Sequence, residues 1–389
     1  DPFDFQGFSA YVKSGVTSQD SAGDNLYYDF GMRFSHAWNN KFAVKATVSY
    51  VEGEDWHATD YRDMNYLQGR SIPGSYLPAD PSTFPDYNGI NVYGEVGQTF
   101  NMTDVFRGVV LPALVANGTI TAGTAGLANT ILGTFSPNYF GTQTINSTGY
   151  KEVDLTDNKA SSFKIDVAAH YRIDGDSELI FNSKIGSGNT VLHATNRNML
   201  KNFMLQQHKI EYRSPKLTAR AYTSIEDSGN THDMSALGAS IANAQPGGIA
   251  GWFGTYLNAY FGSIFGQFDP NPLAGFSKVL NTAAAGWDMN RALRYYGAYD
   301  LDYPVHVAAR NAADVNMLVP GSQGFKTAYL NSTTTPIANG GAAIIDNSKS
   351  NSFEFNYNLG DLVPSFDLIV GAQYRDYILR SGGSLFTDY

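Results

Sequence analysis

Apolar and polar residues alternate with a period of two through "NLYYDFGMRFSHAWNNKFAVKATVSY", residues 25–50. Tyr28, Phe30, Met32, Phe34, His36 and Trp38 share one face, and Asp29, Gly31, Arg33 and Ser35 share the other. After Asn39-Asn40-Lys41 the alternation resumes, with Phe42, Val44, Ala46, Val48 and Tyr50 opposite Lys45, Thr47 and Ser49. Period two is the signature of a β-strand with two unlike faces. A three-residue loop at 39–41 predicts a hairpin that pairs Trp38 with Phe42, Phe34 with Ala46, Met32 with Val48 and Phe30 with Tyr50. Ser35 then faces Lys45, and Arg33 faces Thr47. A slip of one residue would exchange the two faces.

The pattern recurs in seven further segments: 7–17, 161–173, 178–186, 202–213, 216–226, 352–359 and 366–377. In 161–173, Phe163, Ile165, Val167, Ala169 and Tyr171 oppose Lys164, Asp166, His170 and Arg172. Leu179, Phe181 and Ile185 oppose Asn182 and Lys184, and the phase of 202–213 is ambiguous. With the opening hairpin this predicts nine strands. Their connections alternate. Those at 39–41, 174–177, 214–215 and 360–365 are short, and those at 18–24, 53–160, 187–201 and 227–351 are longer.

That alternation sets long loops at one end and tight turns at the other, as in an outer-membrane barrel. Ten residues from Tyr28 to Trp38, tilted near 45°, climb about 23 Å, close to the apolar band of such a barrel. The expected fold is all-β, part of a transmembrane antiparallel up-and-down barrel with long, partly helical extracellular loops. Tyr28, Phe30, Met32, Phe34, Trp38, Phe42, Val44, Val48, Tyr50, Phe163, Ile165 and Val167 are expected to face lipid. Asp29, Arg33, Lys45, Lys164, Asp166 and Arg172 are expected to face the lumen, with Lys184, Arg220, Glu354 and Arg375. A soluble sheet with one face on a core explains each strand equally well, but not the loop asymmetry or the aromatic borders. Nine is odd, and single-chain bacterial barrels have even counts. The chain is therefore expected not to close alone.

Composition agrees. Tyr (25) and Gly (39) are abundant and cysteine is absent, so there is no disulfide framework and no thiolate metal site. The net charge of −10 gives no argument for nucleic acid and weakly disfavours a strongly anionic ligand. No apolar run of 18 residues predicts a spanning helix. The start, "DPFDF", has no signal-peptide character, which is expected of a mature form or an internal piece.

The run "NNKFAVKATVSYVEGEDWHATDYRD" (39–63) resembles the early barrel of TonB-dependent outer-membrane receptors of Bacteroidota. "DPFDFQGFSAYVKSG" (1–15) is similar to the segment that follows the plug in that family. "TNRNMLKNFMLQQHKIEY" (195–212), "LTARAYTSIEDSG" (217–229) and "VGAQYRDYILRSGGSLF" (370–386) are similar to later strands. The resemblance implies a 22-stranded barrel with an N-terminal plug, energised through a TonB box by the TonB-ExbB-ExbD system. This chain carries neither plug nor TonB box, and about thirteen strands would follow Tyr389. The implied function is import of a siderophore, cobalamin, oligosaccharide or peptide across the outer membrane. The alternatives are a structural or scaffold subunit of a larger outer-membrane complex and a secreted carbohydrate-binding β-protein.

Within loop 53–160, Trp56, Asp60, Tyr61 and Arg62 combine aromatics, carboxylate and guanidinium, a set that could hold a ligand; the preferred reading is a strand-to-loop corner with Trp56 as an interface anchor. Asp104 is the expected N-cap of "VFRGVVLPAL", followed by "TAGLANTILGTF". In 247–268, Ile249, Trp252, Phe253, Tyr256, Tyr260, Phe261, Ile264 and Phe265 recur at near-helical spacing. Trp252 and Tyr256 are candidate walls of a hydrophobic ligand site, and a seat for a surface lipoprotein or an interfacial helix are the other functional readings; the preferred reading of the segment is the core of a loop domain. No G-x-S-x-G, H-E-x-x-H or P-loop is present, and the seven histidines lack ligand spacing. No catalytic activity, cofactor or metal is expected.

Overall fold

The structure, a computed structural model, describes residues 2–64, 84–193, 196–285, 299–360, 366 and 368–388. Nine long strands follow one another as an antiparallel meander: β1 Gly7–Gln19, β2 Gly23–Trp38, β3 Phe42–Glu54, β4 Lys159–Arg172, β5 Glu178–His193, β6 Arg197–Arg213, β7 Leu217–Asp227, β8 Lys349–Asn358 and β9 Ile369–Ile378. The sheet is open, with β1 and β9 at its edges.

The first hairpin has the register expected from its alternation: Trp38 opposite Phe42, Phe34 opposite Ala46, Arg33 opposite Thr47 and Ser35 opposite Lys45. Asn39 and Asn40 both take positive φ, 50° and 52°, as a tight turn matched to strand twist requires, and the Lys41 amide donates to Trp38 O at 3.0 Å. Two connections differ from expectation. Residues 187–193 and 197–201 belong to strands, so β5 and β6 are joined at 194–196, and β1 and β2 turn at 20–22. Gly186, Gly188 and Asn189 carry no apolar signal, yet the backbone ladder runs through them, with a register shift between Leu200 and Phe203.

The two faces separate as the pattern requires. Phe34 is 44% exposed, Val167 40%, Phe181 50%, Ile210 49% and Tyr374 67%. On the other face Ser35, Ala43, Ala168 and Glu211 are buried, although that face carries most of the charge. Leaving so many large apolar side chains exposed is unusual for a sheet in water.

The outermost aromatic of the apolar face shifts obliquely across the ladder from β2 to β9, with Leu26 on β2 and its partner Val16 on β1 lying beyond it. Tyr28 marks this border on β2, Tyr50 on β3 and Phe163 on β4, whereas Phe353 and Tyr374 mark it on β8 and β9. The hydrogen-bonded row through Tyr374 passes Phe353, Ala221, Ile210, Phe181, Ala169 and Val44 and reaches β2 at His36. His36 lies eight residues beyond Tyr28. Eight residues at ~3.3 Å, set against seven interstrand steps of ~4.8 Å, correspond to strands tilted by about 40° from the normal to the border.

A second compact unit comprises residues 59–154 and 238–328, so both long insertions contribute to it. Its helices include α1 Met234–Asn243, which enters it at residue 238, α2 Gly248–Phe268, α3 Pro272–Ala284, α4 Tyr299–Asp314 and α5 Gln323–Thr334, which leaves it after residue 328. The first insertion supplies a helical stretch, Met102–Val105, Phe106–Val110 and Leu111–Ala116. Its N-cap is Asn101 rather than the expected Asp104. Asn101 Oδ1 accepts from the Thr103 and Asp104 amides at 3.0 and 3.2 Å, which leaves Asp104 in the first turn. Phe106 sits among Phe140, Phe261, Phe265 and Phe276, with ring centroids 5.2–6.1 Å away. Rings from both insertions thus close one core. Among the described residues no helix is long and apolar enough to cross a membrane.

Candidate functional site

The polar face of the sheet is where charge, hydroxyls and concavity coincide. Adjacent strands place Asp29, Arg33, Lys45, Lys164, Asp166 and Arg172 on it, together with Lys184, Arg220, Glu354 and Arg375. The carboxylates are held by cations or hydrogen-bond donors. Tyr11 Oη donates to Asp29 at 3.0 Å, and Lys13 lies 3.5 Å from it. Asn182 donates to Asp166 at 2.6 Å, with Lys184 at 3.8 Å. Lys209 and Arg213 clamp Glu211 at 2.5 and 2.6 Å, and Arg220 pairs with Glu354 across the strands. Tyr11 lies flat across Gly31, where an added Cβ would run into its ring. Glycine there lets an aromatic cover the backbone.

Two neighbouring hollows are sunk into this face. One, of about 450 Å³, is lined by Thr47, Ser49, Lys164, Asp166, Lys184, Gly186, Gln207 and Ser224. The other, of about 600 Å³, lies toward the end of the sheet opposite Asn39–Lys41, with Tyr27, Gly53, Ser162, Gly188, Asn189, Thr190 and Phe203. Lys164, Gly186 and Leu205 belong to both. These volumes fall within the ordinary range of small-molecule sites. The hydroxyls, amides and glycines were legible only as the polar phase of each strand. Which of them share a hollow depends on the register of five strands.

At the tight-turn end, residues 2–6 fold back over the polar face. Phe3 is buried beneath the Arg172 guanidinium, 3.8 Å from its ring, and Arg33 donates to Phe5 O at 2.8 Å.

The loop candidates separate. Trp56 is 59% exposed and belongs to the sheet unit. Asp60, Tyr61 and Arg62 belong to the second unit, where Arg62 grips Asp60 through Nε at 2.9 Å and Nη2 at 2.6 Å. That guanidinium holds the Asp60 carboxyl down to about 2. Lys151 lies over the Tyr61 ring at 4.8 Å. Trp252 and Tyr256 lie inside the helical unit. Both are buried, Trp252 Nε1 donates to Asp314 at 2.8 Å, and Tyr256 Oη shares a 2.5 Å hydrogen bond with His306 Nδ1. Their helical spacing marks the core of the unit.

That core is stitched by a polar seam. Arg310 is buried and donates to Thr148 Oγ1 at 2.9 Å and to the Phe84 and Pro85 carbonyls at 3.3 and 3.0 Å. Asp314 also accepts from Thr148 at 3.0 Å. Burial raises Glu95 to about 8, opposed by the Gly89 amide and Arg310 and assisted by Asp63. Burial, assisted by Arg310, lowers His306 to about 3.

These shifts act at opposite ends of the pH range. A folded-state value below the ordinary 6.5 means that stability from His306 is lost as pH falls from 6.5 toward 3. A value above the ordinary 4.5 means that stability from Glu95 is lost as pH rises from 4.5 toward 8. Between 4.5 and 6.5 the two slopes cancel. The helical unit is therefore expected to be most stable in that window, and Glu95→Gln should remove the alkaline decline. Hydrogen exchange of residues 248–268 across pH measures this; an unchanged alkaline limb in the variant contradicts it.

Among the described residues no group of His, Asp or Glu is arranged to hold a metal ion. Neither a family model nor a curated protein matches this chain.

Proposed function

We propose that the nine-stranded sheet is part of a transmembrane β-barrel in the outer membrane, serving as a TonB-dependent receptor that imports a nutrient ligand. The observation that carries the membrane part is the oblique border of the apolar face. A slab of hydrocarbon has flat boundaries, so strands tilted 35–45° from its normal meet each boundary at a different rung. The inclination of about 40° given by Tyr28, Tyr374 and the register lies in that range. A soluble core imposes no such relation between register and polarity.

On this reading the apolar face contacts outer-membrane lipid, the polar face lines the lumen, and the insertions 59–154 and 238–328 lie outside the cell. Import rests on the resemblance of residues 39–63, 195–212, 217–229 and 370–386 to TonB-dependent receptors, and on the hollows in the polar face. Coupling to TonB-ExbB-ExbD rests on that resemblance alone.

Two measurements test the reading. The full-length protein in mild detergent should migrate differently in gels before and after boiling, and a monomer soluble without detergent contradicts the membrane assignment. The purified periplasmic domain of TonB should be retained by the full-length receptor. Its failure to bind would favour a scaffold subunit, a role that a folded unit shared by both insertions would equally suit.

A further inference from the structure

We propose that the hollow around Lys164 binds a small solute carrying two or more negative charges, borne on carboxylates or phosphates. The inference rests on the lumen-facing reading above and adds the substrate class to it. The chain carries −10 overall, yet Lys and Arg outnumber Asp and Glu on the polar face of the sheet. The cations recur in pairs about single carboxylates: Lys209 and Arg213 about Glu211, and Lys164 and Lys184 on either side of Asp166. In each group one positive charge is left over. A cationic lining within an acidic molecule concentrates anions where they are needed and leaves the rest of the surface to repel nonspecific ones.

Lys164 is the place where this surplus meets open space. It makes no ion pair among the described residues, and it borders both hollows. Its cross-strand neighbours are Ser49 on one side and Gly186 on the other. Gly186 has no steric need to be glycine. Its φ is not positive, and an added Cβ would meet only Lys164 Cγ, at 4.0 Å. Gly188, by contrast, would drive a Cβ into the Ser161 carbonyl. Glycine at 186 thus leaves floor beside the ammonium group. Thr47, Ser49, Gln207 and Ser224 surround it with hydroxyl and amide donors suited to the remaining oxygens of an oxyanion.

Inorganic tripolyphosphate and citrate, titrated calorimetrically into the full-length protein in detergent at 50 mM salt, test the proposal. Both should bind, with Kd at least tenfold weaker at 500 mM salt, and a neutral trisaccharide of similar size should not. Lys164→Gln should weaken binding at least fivefold. Gly186→Leu should do the same with the charge unchanged, and Lys349→Gln, on the apolar face, should leave it unaltered. Retained heat-modifiable mobility in each variant separates loss of this site from loss of the barrel. No binding of either anion, affinity in Lys164→Gln and Gly186→Leu unchanged from that of the unsubstituted protein, or retention of a polyglutamate peptide by protein that ignores tripolyphosphate would overturn the proposal. The last result would assign the surface to an acidic protein segment.

Discussion

Val167→Arg is expected to prevent stable insertion of the sheet, whereas Asn351→Arg is expected to be nearly silent, although the two residues share one hydrogen-bonded row. That row runs Phe34, Ala46, Val167, Ser183, His208, Thr223, Asn351 and Asp376. On β4 it crosses the middle of the apolar face, four residues from the border at Phe163. On β8 it lies beyond the border marked by Phe353. Arginine at the midplane of a lipid-facing strand costs ~2–4 kcal/mol, and near the interface ~0–1 kcal/mol. Urea titration of the protein folded into lipid vesicles measures both. Equal losses at the two sites would mean that polarity follows the ladder and not a slab.

Arg310→Leu should have the second large effect, confined to the helical unit. The side chain holds Thr148 and the carbonyls of Phe84 and Pro85 from the second insertion, and its guanidinium lies 5.6 Å from the Trp252 ring. Leucine fills part of the volume and satisfies none of these acceptors. Pro85 O keeps the Asn146 amide at 2.8 Å and Phe84 O the Tyr87 amide at 3.4 Å, so the cost is that of the lost bonds from a charged donor, ~1.5–3 kcal/mol each, and a loss on the order of 3–5 kcal/mol is expected. Hydrogen exchange should accelerate together in 102–116 and 248–268, because Phe106 and Phe261 belong to the same core, while exchange in β2 to β4 stays unchanged. Acceleration limited to α4 would show that the insertions fold independently.

The sheet was legible because each strand states its own face. A period of two needs only local sequence, and with the turn at Asn39-Asn40 it fixed the first register to the residue. The ends of β5 and β6 were not legible, because Gly186, Gly188 and Asn189 sit in the ladder through backbone hydrogen bonds that leave no apolar trace. The shared helical unit was hidden for a different reason. Nothing periodic connects Phe106 to Phe276, or Thr148 to Arg310, across so much chain. Trp252 and Tyr256 show the limit of residue type as a guide. Aromatics at helical spacing look alike whether they await a ligand or fill a core, and only their burial separates the two. The hollow around Lys164 likewise required the register before Ser49 and Gly186 could be set beside it.

The chain contains no cysteine, so single nitroxide labels can be placed on it one at a time. Labels at 34, 48, 167 and 374, in protein reconstituted into bilayers, should be relaxed by oxygen and shielded from a water-soluble nickel chelate. Labels at 33, 47, 351 and 376 should show the reverse. Shielding of 34, 48 and 167 from both reagents would place protein, not lipid, against the apolar face and would contradict the account.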